Sequence, residues 1–301
     1  MRISLSKGFD SDLDSNLNYF DDWMVTMEIK NGIALFDSGV GGLTIAREMI
    51  SEFPSEDIVY FGDTAHLPYG PREQSEVRGF VFAIINYFVE AGAKIVIIAC
   101  NTATAAGLEA AQEKFSIPII GPINPGVEEA LARTTNKKIG VIATTGTIGS
   151  SSYQDVLRRE GEDIEIFAKA CPEFIPLVEA GELYSERAKD IAKEYLLPLK
   201  EKGIDTLLLG CTHFPYLGGI IKEVMGQDIK LIYPGRGIAL KARKILAKRE
   251  VLKNIGTGKR KFYVSDKDRL SQKFLEIGTE FLNFSELSFT EFDLWSKINE
   301  E

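Results

Sequence analysis

From residue 32 onward, short aliphatic runs alternate with longer amphipathic segments, and this rhythm limits the fold more than any other feature of the chain. The runs at 32–36, 58–61, 94–99, 119–121, 138–143, 164–168, 206–209 and 231–233 read as strands. The segments at 43–53, 78–91, 103–115, 126–134, 185–201 and 237–248 carry helical spacing. A strand that is aliphatic throughout, rather than on alternate positions, has both faces buried. That is the mark of parallel sheet covered by helices, so the class is α/β. Ligands are then expected at the carboxyl ends of the strands.

Two of these strands end alike. "IVIIACNTATAAG" and "TLLLGCTHFPYLGG" each run from apolar residues into a cysteine and then into a polar turn, with Cys100 and Cys211 lying 111 positions apart (211 − 100). This is a pseudo-repeat of two α/β units offering a thiol at the same topological place, with a cleft between them. A boundary falls near "GPINPGVEEA" and a second near "YPGRG". The expected division is a first lobe of 31–125 plus 237–301 and a second lobe of 126–236. Residues 1–30, acidic and rich in Ser, Asn and Asp, show no sustained period and are expected to form a flexible N-terminal extension.

The chain has 301 residues and a net charge of −9, a field that disfavours nucleic acid and anionic membrane but permits a small anionic substrate in a local site. No apolar run approaches the ~18 residues of a membrane span. The N-terminus lacks the apolar stretch of a secretory signal, so a cytoplasmic location is expected. Three cysteines without a secretion signal argue for free thiols. They also lack metal spacing: there is no C-x₂-C, and the nearest pair is Cys211-x-His213. No metal site is expected.

A single cysteine after an apolar run is most often a small core residue. Two at matching strand ends suit proton transfer on opposite faces of one carbon. Asn101, Thr102 or Thr212 would cap the following helices, and the positive helix ends would lower the thiol pKa from ~8.5. Cys171, before a proline, reads as structural. "ALFDSGVGGLT" is a strand, glycine-rich turn and helix, but its glycine spacing does not complete a dinucleotide fingerprint and Asp37 would repel phosphate. Asp37, Ser38 and the free backbone N–H groups suit a zwitterion better. "FGDTAHLPYGPRE" offers His66, Tyr69 and Arg72. "ATTGTIGSSSYQ" offers Thr144, Thr145, Thr147 and Ser150 to Ser152, as helix caps or as carboxylate binders. His213, two residues past Cys211, can exchange a proton with that thiol or with substrate.

Together "DSGVGGLT", "DTAHLPYG", "ACNTAT", "CPEFIPLVEAGE" and "GCTHFPYL" resemble the glutamate racemases of the cofactor-independent aspartate/glutamate racemase superfamily, in order over about residues 32–248. The resemblance implies two Rossmann-like α/β lobes with parallel sheets related by pseudo-two-fold symmetry and an active site in the cleft. It implies interconversion of L- and D-glutamate, supplying peptidoglycan synthesis, without pyridoxal phosphate, metal or nucleotide. Cys100 and Cys211 match the catalytic pair, the first serving the D-isomer and the second the L-isomer. Asp37 and His213 match the flanking acid–base groups. Ser38, Tyr69, Gly70, Asn101, Thr102 and Thr212 match substrate contacts, with Thr147 beside them. Partners reduce to the small-molecule substrate, and a homodimer is left open. Two positions depart from the family: Asn124 in "INPG", and Tyr233 in "IYPG" where an aspartate is usual. A racemase of another amino acid, a ligand-binding protein on the same scaffold and a nucleotide-dependent oxidoreductase are the competing classes.

Overall fold

The computed structural model describes residues 27–299. Most of the expected N-terminal extension lies outside them, but Met27 and Ile29 are buried. The strands are β1 Ile33–Asp37, β2 Ile58–Gly62, β3 Ile95–Ile98, β4 Ile119–Ile120, β5 Lys138–Ala143, β6 Glu165–Ala170, β7 Thr206–Gly210, β8 Lys230–Ile232, β9 Arg260–Val264 and β10 Thr290–Glu291. Every pairing among them is parallel.

They form two sheets, ordered β10-β9-β2-β1-β3-β4 and β6-β5-β7-β8. The first four strands of the chain lie second-first-third-fourth, and the next four repeat that order. The pseudo-repeat is therefore visible in connectivity as well as in sequence. β9 and β10, which the strand pattern did not reveal, extend the first sheet beyond β2. β9 is half-buried at its start and β10 is two exposed residues, so neither carries the continuous aliphatic signal of the inner strands.

The inner strands behave as their composition requires. Each residue of β1, β2, β3 and β7 is buried. At ~1.5–3 kcal/mol for each fully buried Val, Leu or Ile, these runs dominate the drive to fold. Helices Leu43–Glu52, Gln74–Glu90, Asn101–Lys114, Ile123–Arg133, Glu186–Glu201 and Gly235–Lys248 match the expected helical segments to within a turn, and the first begins immediately after the glycine-rich turn. Among the described residues no helix is long and apolar enough to cross a membrane.

Candidate active site

β1 ends at Asp37, and the chain turns through Ser38 to Gly42 before its first helix. Asp37 is wholly buried. One carboxylate oxygen accepts from the Gly42 N–H at 2.9 Å. The Thr212 hydroxyl lies 3.4 Å from both oxygens. Thr212 follows β7 of the other sheet, and its carbonyl accepts from the Thr44 hydroxyl at 3.1 Å. The loops of the two sheets are thus stitched together around a buried carboxylate.

The thiols follow the third strand of each four-strand unit. Cys100 is itself the N-cap of the Asn101–Lys114 helix; its Sγ accepts from the Ala103 N–H at 3.4 Å. The thiol donates to the Ser38 hydroxyl at 3.7 Å. Capping therefore falls to the cysteine, not to Asn101 or Thr102. Cys211 stands differently. A 3₁₀ turn, Phe214–Leu217, follows it in place of a regular helix, with proline in its first positions. Its Sγ lies 3.9 Å from His213 Nδ1. Both thiols line one small cavity of about 20 Å³, together with Ser38, Tyr69, Gly70, Asn101, Thr102, Thr144, Thr212 and His213.

Two four-strand units of the same order thus each deliver a thiol, after the third strand, to one shared cavity. Residues 44–236 match the family described as Asp/Glu/Hydantoin racemase. The chain belongs to this racemase family. It is 41% identical over 261 residues to the glutamate racemase of Listeria monocytogenes serotype 4a, covering 86% of this chain and 97% of that one. The glutamate racemase of Bacillus cereus is 44% identical over 220 residues, covering 73% and 82%. Among solved structures, a glutamate racemase of Bacillus anthracis superposes with a TM-score of 0.82 at 37% identity, covering 89% of this chain and 99% of that one. The Francisella tularensis glutamate racemase, solved with D-glutamate, gives 0.81 at 32% identity, covering 90% and 100%.

Electrostatics in this family member run against one expectation from the sequence. The helix N-terminus does not bring the Cys100 pKa below its ordinary value. Burial and the neighbouring Asp37 charge push that thiol up to about 12, and the Ala103 amide and Ser38 hydroxyl only partly oppose them. One amide at 3.4 Å cannot replace the water that a thiolate would lose. Burial likewise raises Asp37, against the pull of His213 and of the Gly42, Gly39 and Ser38 amides. His213 moves the other way. Burial opposes its charge, but contacts with Cys211 and Glu179 prevail and push it up to about 10. Its Nε2 sits 3.4 Å from Glu179 Oε1, within ion-pair range but without hydrogen-bond alignment, so the contact is electrostatic.

The remaining candidates divide by position. Asn101 is buried and its amide oxygen accepts from the Tyr153 hydroxyl at 2.6 Å, a bond between the two repeat units. Thr102, Thr144 and Thr147 form a hydroxyl triangle at 2.9, 3.2 and 3.0 Å. Thr144 reaches the cavity, whereas Thr147 stands behind it. The Tyr69 hydroxyl points to Asp63 at 2.6 Å and not into the cavity. His66 and Arg72 lie apart, His66 stacked on Phe80 and Arg72 bonded to the His66 carbonyl. Cys171 is buried in the core, its thiol facing the Lys169 carbonyl at 3.7 Å. Residue-by-residue reading missed Glu179 and Asp63. Both sit inside quoted motifs, but nothing in the spacing says what they touch.

Proposed function

We propose that this protein interconverts L- and D-glutamate by cofactor-independent proton transfer between two thiols. The observation that carries the reading is the shared cavity: Cys100 and Cys211 reach it from equivalent positions in two repeated units. With L-glutamate bound, Cys211 as thiolate takes the α-proton, breaking C–H and forming S–H. Cys100 as thiol then delivers its proton to the opposite face, breaking S–H and forming C–H. The reverse reaction exchanges the roles. In the free protein Cys100 holds its proton, as the donor step from L-glutamate requires.

Asp37 and His213 flank the reacting carbon and move protons to and from Cys100 and Cys211. The substrate ammonium would offset the field of Asp37 on Cys100. Ser38, Asn101, Thr102 and Thr212, with the Tyr69–Gly70 backbone, Thr144 and Thr147 behind, hold the carboxylates and orient the α-carbon. Exclusion of water strengthens each of these contacts while carbanion character develops. A cavity of about 20 Å³ has room for one water, so the loops must part to admit glutamate. The same reading divides the chain into lobes of 31–125 plus 237–301 and of 126–236, and places the enzyme in the cytoplasm as a source of D-glutamate for peptidoglycan.

The test is to incubate the protein with L-glutamate in deuterated water without added cofactor. The expected outcome is α-deuterium incorporation with decay of optical activity, the decay abolished by Cys100→Ser or Cys211→Ser and neither reproduced with L-aspartate. Absence of exchange in the wild-type protein would end this reading.

A further inference from the structure

Asp63, just past β2, is a fully buried carboxylate that the proton transfer does not use. A carboxyl group in such a place requires hydrogen-bond partners. Oδ1 accepts from the Ser265 hydroxyl at 2.9 Å and from the Trp295 indole N–H at 2.7 Å. Oδ2 accepts from the Tyr69 hydroxyl at 2.6 Å, and His66 Nδ1 lies 3.0 Å from it. The Asp63 backbone N–H also donates to the Asp37 carbonyl at 2.9 Å. Of these donors, Tyr69 is the side chain that also lines the thiol cavity.

Trp295 comes from the far end of the chain. It lies on the helix Leu294–Asn299, anchored by buried Phe292 and Leu294. Its ring meets His66 edge-on at 4.5 Å and Phe80 at 5.3 Å, and Phe80 in turn packs on Tyr69 at 5.4 Å. The C-terminal helix thus reaches the cavity wall through one buried hydrogen-bond acceptor and one aromatic neighbour.

We propose that Trp295 is a positioning residue for the thiol cavity: it holds Asp63, Asp63 holds the Tyr69 hydroxyl, and that bond fixes the wall formed by residues 67–70. The inference rests on reading the cavity as the glutamate site. The competing role is plain packing of the terminal helix, which would govern stability and leave substrate affinity alone.

Trp295→Phe keeps an aromatic ring and removes the N–H. KM for glutamate should rise about tenfold in both directions with kcat within about threefold, the size of one buried hydrogen bond lost with its acceptor left in place. In a Tyr69→Phe background the same change should cost less than about twofold, because the link it acts through is already cut. Ile298→Ala, an exposed position on the same helix, should leave KM unchanged. Melting temperature, read in parallel, separates loosening of the helix from displacement of Tyr69. The proposal is overturned if Trp295→Phe lowers only the melting temperature, if its effect on KM persists undiminished in the Tyr69→Phe background, or if Ile298→Ala matches it. A wild-type protein that fails to racemise glutamate would remove the functional reading instead, a result distinct from an active Trp295→Phe enzyme with unaltered KM.

Discussion

Gly41→Ala adds one methyl group and deletes no polar atom, yet it should disable the site. A Cβ at Gly41 would lie 2.5 Å from both Cε1 and Nδ1 of His213 and 2.7 Å from the Thr212 hydroxyl. Ordinary contact begins near 3.4 Å, so the ring must retreat by about 1 Å (3.4 − 2.5). His213 is almost fully buried and cannot swing into solvent. Its retreat alters the 3.9 Å approach to Cys211. Misplacing a catalytic group by ~1 Å costs on the order of 100-fold, about 2.7 kcal/mol of transition-state stabilisation. Overpacking should add a loss of about 1–3 kcal/mol in stability.

The assay is circular dichroism of glutamate in both directions, with a melting curve alongside. The two enantiomers have equal free energy in water, so kcat/KM must fall by the same factor each way, which provides an internal check. Gly79→Ala is the control. It sits in the Gln74–Glu90 helix with open space around its Cβ, and should gain about 0.5–1 kcal/mol with activity intact. A Gly41→Ala enzyme within threefold of wild-type kcat/KM would refute the reasoning, since the placement of His213 would then not matter.

The titrations give further tests. His213, raised to about 10 in the folded protein from ~6.5 in the unfolded chain, contributes stability that is complete below about pH 6.5 and is lost as pH rises through about 10. Urea midpoints should therefore decline between pH 6.5 and 10, and a His213→Gln variant should lose much of that slope; identical slopes would contradict the assignment. Cys100, held as a thiol in an almost closed cavity, should react with iodoacetamide at pH 8 at least about tenfold more slowly in the native unliganded protein than in guanidinium. Mass spectrometry of the Cys100 peptide reads this directly, and equal rates would show the cavity to be open.

Both cysteine segments, the α/β class and the glycine-rich acid turn were legible because each rests on local chemistry. Strands buried on both faces must be aliphatic throughout, and that pattern located β1, β3 and β7 to within a residue or two. β9 and β10 escaped because a partly buried strand and the short exposed strand outside it need no such pattern. Residue-level matching drew Ser38, Asn101, Thr102 and Thr212 to the cavity, but it could not show that the Tyr69 hydroxyl turns away to Asp63.

By itself, the sequence determined which strands are buried, where each thiol leaves its strand and which residues surround it along the chain. Tertiary structure decided what those residues meet. It set Cys100 against Asp37, Glu179 against His213, and Trp295 against a carboxylate 232 positions away. The acidity of Cys100 shows why the division falls there. A helix N-terminus is a local feature readable from the chain, whereas desolvation and the field of a distant carboxylate exist only once the lobes have closed around them, and in a buried site these terms outweigh the local one.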